Sequence, residues 1–265
     1  MKPTWFWLGD TVTATKVAFI TVGIWWIVFS IPLFRYVKDN GPKKPLKGGS
    51  VVKIGFRRIS ETFREVKRYP ELLKFLIAFW IYNDGISTII KMATIYGRGI
   101  GIGQTDLIAA LLITQFVGIP FSFLFGWLAD KIRPKQALLL SLWLYVLIVI
   151  LGFFMSAAWH FYLLAILVGF VQGGAQALSR SIYAGMIPKG RHAEFFGFYG
   201  ISSKFSAVFG PLLFGFVTQL TGTSRWGILS VALFFVVGIL ALKYVDFEKG
   251  KRDRDLLETP VSQSI

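Results

Sequence analysis

The sequence contains no cysteine and only two histidines, so disulfide bonds and cysteine-based metal sites are excluded. Charged residues make up 16% of the chain, and acidic residues are scarce, with 14 Asp and Glu against 29 Lys and Arg. The apolar runs contain no His-Glu-x-x-His motif and no close pair of carboxylates. We therefore expect no enzyme, no cofactor and no metal site.

Apolar residues dominate instead. They make up 54% of the chain, and the mean hydropathy is +0.60, which favours a membrane protein over a soluble domain. Because a membrane-spanning helix needs about 20 mostly apolar residues, the sequence predicts an all-α membrane protein with seven transmembrane helices. The predicted spans are 17–34, 72–96, 106–128, 136–157, 159–179, 194–218 and 226–244. The first run is long, contains two tryptophans and lacks a small-residue cleavage site, so a signal peptide is not indicated.

Lys and Arg are concentrated in every second connection between the predicted spans. Segments 35–71, 129–136, 180–194 and 243–254 hold 22 Lys and Arg, whereas 1–16, 96–106, 157–161 and 219–226 hold four. This positive-inside bias predicts an N-terminus outside and a C-terminus in the cytoplasm. The chain is expected in the plasma (inner) membrane. Basic residues then face the lipid bilayer, and nucleic-acid binding is not expected. The two histidines fall on opposite sides and cannot share a metal.

Four regions are predicted along the chain. They are an outer N-terminus with the first helix (1–35), a basic cytoplasmic loop (36–71), a six-helix bundle (72–245) and a polar, mobile cytoplasmic tail (246–265). The loop begins with a Gly-, Pro- and Lys-rich stretch. After Ser50, a suitable N-cap, the residues Phe56, Ile59, Phe63 and Val66 recur at helical spacing. This amphipathic helix either lies on the membrane surface or is a solvated linker helix.

The run 72–96 contains polar residues that lipid does not tolerate. One acid and one base at the centre of a span each cost about 2.5–3.5 kcal/mol, so Asp84 and Lys91 are expected to face protein or water. Both lie on one helical stripe, about 10 Å apart along the axis, which argues against a direct pair. Asp84 is central and needs a partner, whereas Lys91 reaches towards the outer mouth. The adjacent Asn83 belongs to the same candidate site.

Lys204, close to the middle of the run 194–218, is the expected partner of Asp84. Two interpretations remain open. Lys204 either binds an anionic substrate group such as a carboxylate or phosphate, or it forms a structural ion pair with Asp84 that has no substrate role.

The run 159–179 carries a polar stripe at four-residue spacing, formed by Gln172, Gln176 and Arg180. The glutamines either contact substrate or form hydrogen bonds between helices, and Arg180 either contacts substrate or belongs to the inner rim. Gln115 in the run 106–128, the next after that of Asp84, is a further candidate. Small residues at 165, 169, 173 and 177 predict close approach of a neighbouring helix.

The connection "GWLADKIRPK" (126–135) resembles the loop motif of the major facilitator superfamily, with Gly126, Asp130, Lys131 and Lys135 in the motif positions. Arg133 stands where the motif has glycine. In that fold Asp130 would contact a helix N-terminus or a basic group and would act in conformational change. The alternative is a plain polar loop. Longer stretches, among them "YNDGISTIIKMATIYG", "VQGGAQALSRS" and "SSKFSAVFGPLLFG", are similar to the vacuole amino-acid effluxer-like branch of the superfamily.

The resemblance implies an alternating-access secondary transporter of a small polar metabolite, with amino acids as the cargo of eukaryotic members. The superfamily fold has two six-helix halves, and this chain corresponds to the sixth helix, the central loop and the second half. Because transport sites lie between halves, the expected partners are a small-molecule substrate and a separate N-terminal half. The alternative is a truncated or non-transporting remnant, or a scaffold that needs the missing half.

Overall fold

The computed structural model describes residues 10–37 and 51–258, which form helices joined by short connections and contain no strand. They belong to two compact units, residues 1–50 and residues 51–265. The first unit contains α1 (Thr11–Tyr36), whose N-cap Asp10 accepts a hydrogen bond from the Thr13 amide at 2.7 Å. The second unit contains α2 (Val51–Val66), α3 (Pro70–Gly99), α4 (Gln104–Ile132), α5 (Pro134–Phe153), α6 (Ala158–Met186), α7 (His192–Ser206), α8 (Phe209–Thr221), α9 (Ser224–Ser230), α10 (Ala232–Lys243) and α11 (Phe247–Glu258).

Seven described helical segments are long and apolar enough to cross a membrane. They are Val12–Tyr36, Pro70–Gly99, Gln104–Ile132, Pro134–Phe153, Ala158–Met186, His192–Thr221 and Ser224–Lys243. The prediction of an all-α membrane protein is therefore confirmed. The last two spans are interrupted, because α8 follows α7 after two residues and α10 follows α9 after one.

The six spans of the second unit alternate in direction. At one end, Tyr96 near the end of α3 donates to the Gly152 carbonyl near the end of α5, and Tyr162 donates to the Asp106 carboxylate at 2.6 Å. At the other end lie the connections 129–136, 180–194 and 243–254, which we call the basic end. Lys135 there donates to the Val245 carbonyl at 2.6 Å.

Helices α4 and α6 pack backbone to backbone. A Cβ atom added at Gly169 would lie 2.7 Å from the Thr114 carbonyl oxygen, and one at Gly173 would lie 2.9 Å from the Gly118 carbonyl oxygen. The Thr114 hydroxyl also donates to the Ala165 carbonyl across the pair at 3.1 Å. Close packing of small residues is a main source of helix association in lipid, and the predicted approach at Gly169 and Gly173 is confirmed.

The basic loop contains the predicted helix α2, which is part of the bundle's compact unit. Val66 is fully buried, and the Phe63 ring lies 6.2 Å from the Phe198 ring of α7. Arg191 forms an ion pair with Glu65 at 2.6 Å. Part of the apolar face therefore packs on protein. The predicted N-cap Ser50 lies outside the described residues, and the structure describes no side chain for Phe56.

The prediction of a mobile tail from Phe247 is wrong as far as Glu258, because α11 is anchored to the bundle. The buried Glu71 carboxylate accepts from the Asp246 amide at 2.9 Å. Arg254 donates to the Gly185 carbonyl at 2.8 Å. Composition alone missed this contact, since the anchoring partners lie more than 60 residues away in the sequence.

Candidate functional site

The interruption between α7 and α8 follows from Pro211, in the first turn of α8. In a continuous helix the amide of residue 211 would donate to the Ala207 carbonyl, but proline has no N–H and its ring clashes with that carbonyl. Helix α7 therefore ends at Ser206 and α8 begins at Phe209. The break leaves backbone donors and acceptors without helical partners inside the membrane-spanning segment.

Lys91 supplies the donor that Pro211 lacks. Its Nζ atom donates to the Ala207 carbonyl at 3.1 Å. A cation at the C-terminal end of α7 also interacts favourably with the helix dipole. The prediction that Lys91 reaches the outer mouth is wrong, because its ammonium group binds this backbone carbonyl.

Asp84 binds the other side of the break. Its Oδ1 atom accepts from the Gly210 amide at 2.9 Å, which places a carboxylate at the positive N-terminal end of α8. Asp84 is 2% exposed. The Thr88 hydroxyl donates to the Asp84 carbonyl at 2.7 Å and packs against Gly210, where an added Cβ would collide with Thr88.

Asn83 completes the contacts. Its side-chain amide donates to the Ser206 hydroxyl at 2.8 Å and to the Ser203 carbonyl at 3.2 Å, in the last turn of α7. The three polar residues of α3 therefore replace the hydrogen bonds that the break removes. We call Asn83, Asp84 and Lys91 the break clamp.

The predicted ion pair between Asp84 and Lys204 is wrong. Within residues 51–258, Asp84 forms no ion pair with Lys204 and instead binds the backbone of α8. The physical reason is that the backbone amides at the start of α8 lie within a membrane-spanning segment, where a donor without an acceptor is costly. The Asp84 carboxylate supplies that acceptor. Lys204 forms no hydrogen bond or ion pair among the described residues.

A cavity of ≈ 240 Å³ lies beside the clamp, between α3, α6 and α7. It brings together five of the predicted site residues, which are Asn83, Lys91, Gln176, Arg180 and Lys204. The remaining lining residues are Phe79, Tyr82, Ile86, Ser87, Ala175, Ser179, Tyr199, Ser203 and Ala207. We call this space the polar cavity.

Aromatic residues form part of the polar cavity, and the sequence predictions did not include them. The Tyr199 ring is stacked on Phe79 at 4.4 Å and lies 4.7 Å from the Tyr183 ring. The Tyr82 hydroxyl lies 2.7 Å from the Ser179 hydroxyl. Helical spacing in the sequence could have indicated them, because Phe79 and Tyr199 each lie one helical turn before a polar residue that lines the same cavity.

Gln115 and Gln172 do not line the polar cavity. They line a second cavity of ≈ 250 Å³, bounded by α3, α4, α5, α6 and α9 and otherwise mostly apolar. The structure therefore divides the predicted site residues between two spaces. Helical spacing placed Gln172 with Gln176, but the two side chains line different cavities.

The loop motif contacts the end of α10. Lys135 donates to the Lys243 carbonyl at 2.9 Å, besides its bond to Val245, and so binds the unpaired carbonyls of a helix C-terminus. Lys131 lies 5.7 Å from the Trp127 ring centroid. Asp130 is exposed, and among the described residues the expected contact to a helix N-terminus or basic group is not formed. Gly126 is also exposed, with open space where a side chain would be.

Arg133 is the only described non-glycine residue with a positive φ, at 74°. This is the position where the superfamily motif has glycine, which adopts such angles without strain. The turn therefore keeps the backbone conformation that the motif predicts, although the side chain differs.

The described residues contain no group of three or more His, Asp or Glu that could hold a metal ion. His160 accepts a hydrogen bond from the Ala157 amide at 3.2 Å near the start of α6 and packs against Trp159.

The comparisons with known proteins identify one protein family. The family profile described as "Vacuole effluxer Atg22 like" matches residues 8–255. An uncharacterized MFS-type transporter of Bacillus subtilis, YxiO, is 40% identical over 236 residues, which are 89% of this chain and 54% of that protein. Autophagy-related protein 22 of Yarrowia lipolytica is 27% identical over 280 residues, covering 95% of this chain and 48% of the relative.

Autophagy-related protein 22 of Saccharomyces cerevisiae is 26% identical over 286 residues, covering 94% of this chain and 54% of the relative. The chain thus spans about half the length of the curated relatives that it matches. These relatives are named as transporters or autophagy-related proteins, and the family is one of transporters, not enzymes.

Proposed function

The chain belongs to the vacuole effluxer Atg22-like family, and from this premise we propose that it forms one wall of a secondary transporter that moves a small polar metabolite by alternating access. This chain supplies the polar cavity as its part of the substrate pathway across the membrane, which we call the passage. Amino acids are the first cargo to test, because the sequence is similar to the amino-acid effluxer-like branch.

The observation that carries the proposal is the polar cavity beside a broken membrane helix. Transporters place their substrate sites near the middle of the membrane, at helices whose regular hydrogen bonding is interrupted. Here the break between α7 and α8 lies next to Ser203 and Lys204, and both residues line the cavity. Intramembrane polar residues that face a cavity mark substrate or ion pathways.

The opposite wall of the passage is proposed to come from an N-terminal six-helix half. The chain covers about half of each relative, and substrate sites of this superfamily lie between halves. Five of the residues predicted from the sequence line the cavity, and all five are exposed or partly exposed in this chain. They would then face that half. Supplying such a half is therefore part of any transport assay.

Transport is tested in proteoliposomes that contain the chain together with the N-terminal half of the Bacillus relative. We expect uptake of at least one member of a panel of radiolabelled amino acids, organic acids and sugars under an imposed proton gradient. Ser203→Trp should abolish uptake by filling the polar cavity. Phe205→Trp, at an exposed neighbour that does not line it, should retain uptake.

An assembled complex with no uptake of any panel member would contradict the proposal and favour a non-transporting scaffold. Equal loss of uptake in both tryptophan variants would also contradict it, because the effect would then not arise from the cavity. Co-purification of the two halves is the control for assembly.

We also propose that the basic end faces the cytoplasm and that the chain lies in the plasma (inner) membrane. The support for the sidedness is the unequal distribution of Lys and Arg, 22 against four. A cysteine at Gly103 should react with an impermeant maleimide added outside intact cells, and a cysteine at His192 should react only after lysis. The reverse pattern would overturn this orientation.

A further inference from the structure

Two cations of the polar cavity have no partner. Arg180 of α6 and Lys204 of α7 both line it, and neither forms a hydrogen bond or ion pair with any residue in 10–37 or 51–258. Lys91 is a third cation on the lining, although its ammonium group already binds the Ala207 carbonyl.

The described lining residues include no Asp and no Glu, so no negative charge on the lining offsets these cations. Asp84 of the break clamp does not line the cavity: its carboxylate accepts from the Gly210 amide, is 2% exposed and interacts electrostatically with Lys91, not with Arg180 or Lys204. The cavity lining therefore carries three formal positive charges and no negative one.

Arg180 and Lys204 are exposed, so their charges are available to a ligand. An anion in the cavity would form charge-assisted hydrogen bonds with them. Arginine presents several N–H donors in a plane that matches a carboxylate or a phosphate. A cationic ligand would be repelled by all three side chains.

We propose that the polar cavity binds the oxyanion group of its ligand, a carboxylate or a phosphate, between Arg180 and Lys204. That this ligand is the transported molecule rests on the proposed function. Phe79 and Tyr199 also line the cavity, and their rings are stacked on each other at 4.4 Å, so they form a packed apolar part of its wall. The volume of ≈ 240 Å³ is below that of pockets for drug-sized molecules and suits a small metabolite.

The test is binding to the purified chain in nanodiscs of zwitterionic lipid, so that anionic headgroups do not compete. The same measurement is made on the chain assembled with the N-terminal half of the Bacillus relative, because that half is proposed to form the opposite wall. Calorimetric titrations with succinate, inorganic phosphate, glycine, ethanolamine and glucose separate carboxylate, phosphate, zwitterion, cation and neutral ligand. We expect succinate, phosphate or both to bind, and ethanolamine and glucose not to bind.

The double variant Arg180→Gln, Lys204→Gln should weaken oxyanion binding by about tenfold or more. The control variant Lys16→Gln, Arg98→Gln removes the same charge at exposed sites elsewhere and should bind like the unmodified chain. Unchanged affinity in the cavity variant, or ethanolamine binding at least as tight as that of the oxyanions, would overturn the proposal.

The two proposals fail separately. Oxyanion binding without uptake by the assembled halves would support the anion site and contradict the transport function. Uptake of a neutral or cationic compound, blocked by Ser203→Trp and unaccompanied by oxyanion binding, would support transport and overturn the anion site.

Discussion

The carboxylate of Asp84 accepts a hydrogen bond from the amide of Gly210 at 2.9 Å. The acid lies on α3 and the glycine in the first turn of α8, so two helices meet where one of them begins in the middle of a membrane span. An intramembrane acid thus compensates a helix break.

Gly210 is required at this contact because an added Cβ would collide with Thr88 and Asp84. We expect Gly210→Ala to destabilise the chain by about 1–3 kcal/mol through overpacking. Gly215→Ala is the matched control on the same helix. Its Cβ meets open space, and it should be neutral or slightly stabilising because alanine favours a helix. Unfolding of the purified variants in detergent measures both, and equal effects would contradict the assigned contact.

Lys91 and Pro211 should be energetically coupled. Restoring a backbone donor with Pro211→Ala lets residue 211 bond the Ala207 carbonyl, so the Lys91 ammonium becomes less necessary. Lys91→Met should then destabilise the Pro211→Ala background less than the unmodified chain, with a coupling energy of about 0.5–3 kcal/mol in a double-mutant cycle.

Lys204→Met is the control for this cycle. Lys204 precedes the break and forms no described bond to it, so its substitution should show no coupling with Pro211→Ala. A Lys204 coupling as large as that of Lys91 would argue against a specific role for the Lys91 ammonium.

Arg133 adopts a positive φ of 74° in the turn between α4 and α5. Glycine has no Cβ to strain in this conformation, so Arg133→Gly should stabilise the chain by about 1 kcal/mol or more. Arg133→Ala retains the Cβ and should give no such gain. A higher thermal midpoint for the glycine variant alone supports this account, whereas equal midpoints for the two variants would contradict it.

The docking of α11 should depend on pH through Asp246. The Lys249 amide donates to the Asp246 carboxylate at 2.9 Å, and this hydrogen bond is the main cause that lowers the pKa of Asp246. A carboxyl group with a lowered pKa stabilises the folded state above its unfolded pKa of about 3.9, and loses that effect as the pH falls through the lower, folded value.

Hydrogen-exchange protection of residues 247–258, corrected for intrinsic rates, should therefore stay constant from pH 6 to about pH 5 and fall as the pH is lowered further. Asp246→Asn should reduce protection at pH 6 and flatten the pH dependence. Glu248→Gln is the control, because the Glu248 carboxylate bonds only the Lys251 ammonium among the described residues. An unchanged pH profile in Asp246→Asn would assign the dependence to the neighbouring Glu71 instead.

Much of the fold was predictable because lipid imposes long apolar runs on a sequence. The seven spans and the close approach of α4 and α6 at Gly169 and Gly173 follow from local composition and spacing. The break between α7 and α8 has a local cause, Pro211. Hydropathy alone predicts the segment 194–218 as one continuous span.

The partners of the polar residues were not predictable from spacing. Asp84 and Lys91 were correctly expected to face protein or water, but their partners are backbone groups that become available only once the helix breaks. Gln115 and Gln172 could not be separated from Gln176 because the neighbouring helix decides which cavity a side chain enters. The docking of α11 depends on Glu71, which is distant in the sequence.

The central claim, that the polar cavity is a water-accessible passage, can be measured directly because the chain has no cysteine and any introduced thiol is unique. Ser87→Cys and Ser203→Cys, which line the cavity, should react with a membrane-impermeant maleimide in membranes. Phe205→Cys, on an exposed part of α7, should react much more slowly because its side chain lies outside the cavity. Modification of Phe205→Cys as fast as that of Ser203→Cys, or no reaction at either cavity position, would contradict the account.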